Sequence, residues 1–130
     1  MKAIILKKLI LLLAIGLFPQ FATAQNDSNG AALKLIADIV IGLNHFPSDD
    51  DLETLDQIIA NGGLAQGIRA MANAVASIEH SANEESKGEM EALHSNAEVP
   101  EPARLLARII DNFSHGASDD AKAQLAEMFP

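Results

Sequence analysis

Histidine stands at positions 45, 80 and 115, two equal steps of 35 residues. Neutral imidazole is the commonest protein ligand for late first-row metals, and zinc, copper and nickel all suit it. His45, His80 and His115 are therefore the candidate metal ligands. The fourth histidine, His94, lies outside this frame and suits the role less. Each of the three precedes a turn and an acidic cluster: "LNHFPSDDDLETLDQII" from Leu43, "IEHSANEESKGEMEALH" from Ile78 and "FSHGASDDAKAQLAEMF" from Phe113. Carboxylates beside imidazoles could complete a metal site or do acid–base work. The chain has no H-E-x-x-H, no G-x-S-x-G and no phosphate loop, so no catalytic residue is singled out and a non-enzymatic role is expected.

Whether these groups can meet depends on the elements that carry them. The 35-residue step also relates Lys34, Arg69 and Arg104; Ala37, Ala72 and Ala107; Val40, Val75 and Ile110; and Leu55, Met90 and Leu125. So many matches in one register, without a gap, mark tandem units at 33–67, 68–102 and 103–130. Ile36, Ile39, Val40 and Leu43 follow the i, i+3, i+4, i+7 pattern of one helix face. Met71, Ala74, Val75 and Ile78 repeat it, as do Leu106, Ile109, Ile110 and Phe113. A turn follows, and Ser48, Asn83 and Ser118 are placed to cap a second helix. Gly62-Gly63 ends that helix in the first unit, and Pro102 suits the first turn of the helix opening the third.

The expected fold is all-α: three tandem helix-turn-helix repeats. They would form a short α-α solenoid, the first choice, or a compact six-helix bundle. The period is near that of tetratricopeptide repeats, but their Trp, Gly-Tyr and Ala-Phe positions are absent. In an open stack, equivalent positions are about 8–10 Å apart per layer crossed. Two neighbouring histidines could then share an ion, and a third would be hard to bring in. The last unit would leave an apolar edge near Leu125, Met128 and Phe129, a surface for a second copy of the chain.

The repeat also accounts for much of this chemistry without a ligand. Asp49-Asp50, Glu84-Glu85 and Asp119-Asp120 fall in the first turn of each second helix, where free N–H groups and the helix dipole favour negative charge. The Asp49–Asp51 cluster fails as a calcium loop. Thr54 and Ala60 stand where that loop needs glycine and glutamate. The repeat histidines fall near the end of each first helix, where a ring N–H could satisfy a free carbonyl. On this reading they are structural residues copied with the unit.

At the N-terminus, Lys2, Lys7 and Lys8, the apolar run "LILLLAIGLF" and the small residues Ala22-Thr23-Ala24 read as a signal peptide over 1–24. A flexible segment over 25–32 would follow, then the repeat domain over 33–130. The expected location is periplasmic or secreted, with no membrane association once the leader is removed. The chain carries a formal charge of −9. Loss of the three leader lysines would leave six basic side chains against eighteen acidic ones. Such a surface repels nucleic acid and anionic lipid and suits a basic protein or a cation. The lack of cysteine excludes disulfides, thiolate metal sites and thiol nucleophiles.

Two functions follow as expectations. The first is an exported, non-enzymatic interaction module, inhibitor-like or immunity-like, that binds a basic protein partner. The alternative is a periplasmic metal-binding or metal-buffering protein that uses the repeat histidines.

Overall fold

The computed structural model describes residues 27–130. The expected leader, 1–24, lies outside the described residues. Six helices account for the fold: α1 over 27–42, α2 (Asp49–Ala60), α3 (Gln66–Ala76), α4 (Glu84–Ser95), α5 (Glu101–Asp111) and α6 (Asp119–Met128). They form three helix pairs in the expected repeat frame. Where a flexible segment over 25–32 is expected, residues 27–32 instead continue α1. Ala32 is buried and the Asn29 amide oxygen accepts from the Ala65 N–H at 3.0 Å, so this turn has both an apolar contact and a polar tie.

The N-caps fall at the expected residues. Ser48 Oγ accepts from Asp51 N, Asn83 Oδ1 from Ser86 N and Ser118 Oγ from Ala121 N. Asp51 returns the contact by accepting from Ser48 N, which completes a capping box. Pro102 stands in the first turn of α5, where a missing N–H costs nothing.

Packing distinguishes the two arrangements expected from the repeat. The core register is the same in every unit. Ile36, Ala37 and Val40 on α1, Met71, Ala72 and Val75 on α3, and Leu106, Ala107 and Ile110 on α5 are all buried. The second helix of a unit sits against the first helix of the next: α2 on α3, and α4 on α5 more than on α3. One polar contact marks the first seam. Arg69 Nε donates to the Ile59 carbonyl near the end of α2 at 2.9 Å. Lys34 holds the same register in unit one, and its Nζ reaches the Phe129 carbonyl of unit three at 3.5 Å. The third unit thus closes on the first. Arg104, the remaining member of the set, leaves its Nε buried and without a partner.

An open stack of three would keep its first and third units apart. This chain is a ring of three hairpins with α1, α3 and α5 as first helices, which fits the compact six-helix bundle. Closure also covers the edge expected at the end of the chain. Leu125 is fully buried and Phe129 half-buried, and Met128 remains exposed.

Candidate metal centre

Each histidine sits in a short turn between a first and a second helix, held by an apolar anchor on either side. Leu43, Ile78 and Phe113 precede them and are buried. Pro47 and Ala82 follow and are buried, and Ala117 is half-buried at the same register. With both flanks fixed in the core, the residues between them must turn sharply. All three histidines take φ in the left-handed region, 69° at His45, 70° at His80 and 66° at His115. Among the described residues they are the ones other than glycine that do so. Such a conformation costs an ordinary residue about 1–2 kcal/mol, so three copies need a structural return.

The backbone supplies one. His45 N–H donates to the His115 carbonyl, His115 N–H to the His80 carbonyl, and His80 N–H to the His45 carbonyl, each at 2.6 Å. These three bonds form a closed cycle across all three units. In two units the turn is also tied internally. Phe46 N–H donates to Asn44 O at 2.8 Å, and Gly116 N–H to Ser114 O at 2.7 Å. An i to i+2 bond around a residue of positive φ is the strained form of γ-turn. In the middle unit, Glu79 N–H donates to Ser81 O at 3.1 Å instead. The expectation that the ring N–H of these residues satisfies a helix carbonyl is thus not met. The histidines lie beyond the helix ends, and their main chains, rather than their rings, make the structural bonds.

That frees the imidazoles to gather on one another. The ring centroids are 5.1 Å apart for His45–His80, 5.3 Å for His45–His115 and 5.0 Å for His80–His115. One nitrogen from each ring lies within 4.8 Å of the others. His45 is half-buried, and His80 and His115 are exposed. The spacing estimate for an open stack, which brings only neighbouring histidines together, fails because the units close around an axis. Equivalent positions near that axis meet at a point instead of following one another along a line.

Two rings have a polar anchor. His45 Nδ1 lies 2.6 Å from Asn44 Oδ1. An amide oxygen only accepts, so Nδ1–H is the donor in this contact, and in the neutral ring that tautomer leaves the Nε2 lone pair free for a cation. His115 Nδ1 lies 3.1 Å from Ser114 Oγ, which can accept in the same way. Metal-binding histidines characteristically donate their second ring nitrogen to such a partner. The donor set fits a cation. Three bonds of 2.0–2.1 Å in tetrahedral geometry bring ligand nitrogens to about 3.3 Å. Closing the observed spread requires the rings to draw together, and two of the three are exposed.

His94 is placed elsewhere. It sits in the last turn of α4, and its Nε2 meets Asp111 Oδ2 of α5 at 3.0 Å, with both side chains about four-fifths buried. It stands at the repeat position of Ile59 and Phe129 and ties two helices across a seam. The acidic first turns of α2, α4 and α6, seven carboxylates from Asp49 to Asp120, each begin four residues after a histidine. They do not belong to the cluster of candidate ligands. Sequence reading passed over Asn44 and the part Ser114 plays in holding a ring. The available signal was the residue before each histidine, which is polar in all three units: Asn44, Glu79 and Ser114.

Compared with known protein families, with curated proteins and with solved structures, the chain shows no match.

Proposed function

We propose that this chain is a metal-binding protein that holds one late first-row divalent cation on His45, His80 and His115. The observation that carries this reading is the convergence of three imidazole nitrogens, one from each repeat, within 4.8 Å. Neutral nitrogen donors suit zinc, copper or nickel in preference to calcium or magnesium, which take oxygen. Three protein ligands leave at least one coordination position for water or an incoming group. Exposure of two of the three rings makes loading and release direct, which suits buffering or transfer of the ion. The expected leader would place this activity in the periplasm or outside the cell.

Isothermal titration of zinc(II) into the metal-free protein tests the proposal. One ion per chain is expected. The triple change His45→Ala, His80→Ala, His115→Ala should abolish that binding while circular dichroism reports the same helicity. Binding of equal strength in the triple variant would sink the proposal.

A second reading, docking of a basic protein on the same face, is favoured by a separate observation. The seven first-turn carboxylates lie close in sequence to the histidine turns. Phe46, next to His45, is 66% exposed. Charge of this sign also concentrates cations near the site. A lysine-rich probe peptide should bind in a salt-sensitive way. If binding survives conversion of those carboxylates to amides, this reading fails.

A further inference from the structure

The three turns are not equivalent, and the difference lies in the residue before each histidine. In units one and three that residue holds the ring, through Asn44 Oδ1 at 2.6 Å and Ser114 Oγ at 3.1 Å. In unit two the same register holds Glu79, which is exposed. The ring angles are unequal as well. The two anchored rings, His45 and His115, stand at 84° to one another. His80 keeps that relation to His45, at 87°, and departs from it toward His115, at 49°. The pair that departs from three-fold order is His80–His115, which joins the ring without a polar anchor to one that has it.

We infer that Glu79 is the positioning residue for His80: in the metal-loaded protein its carboxylate accepts the His80 Nδ1–H and presents Nε2 to the ion, as Asn44 does for His45 and Ser114 for His115. This rests on the trihistidine reading and deepens it. The three polar residues then form one layer behind the ligands, each accepting from a ring Nδ1–H. They are chemically unequal. A carboxylate makes a stronger acceptor than an amide or hydroxyl oxygen and raises the basicity of the imidazole it holds. His80 becomes the strongest donor of the three, and the site is asymmetric although the fold around it repeats.

The internal repeat provides the test. Glu79→Ala should weaken zinc(II) binding about 10- to 100-fold, the usual consequence of removing such a partner. Glu79→Asn and Glu79→Ser, which place the side chains of units one and three at this position, should restore most of the affinity. Nitrogen-15 NMR of the zinc-loaded protein should show His80 protonated at Nδ1 in the wild type and in both rescue variants. In Glu79→Ala the resonance should shift or broaden. Unchanged affinity in Glu79→Ala would overturn the inference. So would failure of both rescue variants, because that pattern marks Glu79 as a direct ligand, which an amide or hydroxyl replaces poorly. Failure of the trihistidine reading is distinguishable, since it appears as zinc binding that the triple histidine variant retains. A wild-type protein that binds no zinc overturns both.

Discussion

The protein has four histidines and puts them to two kinds of use. Three occupy strained turns near the meeting point of the units, bonded through their backbones and clustered through their rings. The fourth, His94, lies on a seam between α4 and α5, on regular helix, with its ring paired to Asp111. The contrast teaches where chemistry collects in a closed repeat. A residue in the repeat frame and near the axis meets its own copies, so one side chain per unit becomes a cluster of three. A residue on a seam meets only the neighbouring unit and becomes a tie.

The largest expected effect that separates the two regions is on metal-dependent stability. At a free zinc(II) concentration of a hundred times the dissociation constant, the wild type should gain about 2.7 kcal/mol against unfolding, read from denaturant melts. His94→Ala should gain the same amount, with an affinity within about twofold of wild type, as expected for sites that share no partner. The triple variant should gain nothing. A loss of zinc stabilisation in His94→Ala would break the comparison.

A smaller effect probes strain in the metal-free protein. Glycine reaches positive φ without the penalty an ordinary side chain meets. His80→Gly should therefore be more stable than His80→Ala by about 1 kcal/mol, and neither should bind zinc as the wild type does. At His94, on the helix, the order reverses, and alanine is favoured by about 1 kcal/mol. Equal stability of the glycine and alanine variants at position 80 would show that the turn is relaxed. The smallest effect concerns the seam. A double-mutant cycle on His94 and Asp111 should return about 1 kcal/mol of coupling, the usual net worth of one buried hydrogen bond. No coupling would reduce His94 to a packing residue.

How far these regions can be read from sequence differs for physical reasons. The helices, the caps at Ser48, Asn83 and Ser118 and the core register at Ala37, Ala72 and Ala107 follow from local periodicity and capping chemistry, which sequence carries directly. The three candidate ligands were visible in the same way, as one residue type in one register. Closure was not, because an open stack and a ring bury the same stripe in each unit. The seam contacts distinguish them, and Lys34 to Phe129 spans nearly the whole repeat region. Positive φ at the histidines was also hidden, since the usual sign of such a turn is glycine and here it falls at His45, His80 and His115. Asp111 as the partner of His94 has no counterpart in the other units, where Ala76 and Ile41 stand, so the repeat could not announce it.

The cycle of hydrogen bonds among the three histidine backbones also limits how the chain can change by duplication. A stack with free ends accepts another unit at either end, and its length drifts with gain and loss of repeats. Here each histidine N–H and carbonyl at the axis already has its partner in another unit. A fourth unit would have to open the circle before it could join. The architecture counts to three, and the coordination number its histidines can offer is set by that count.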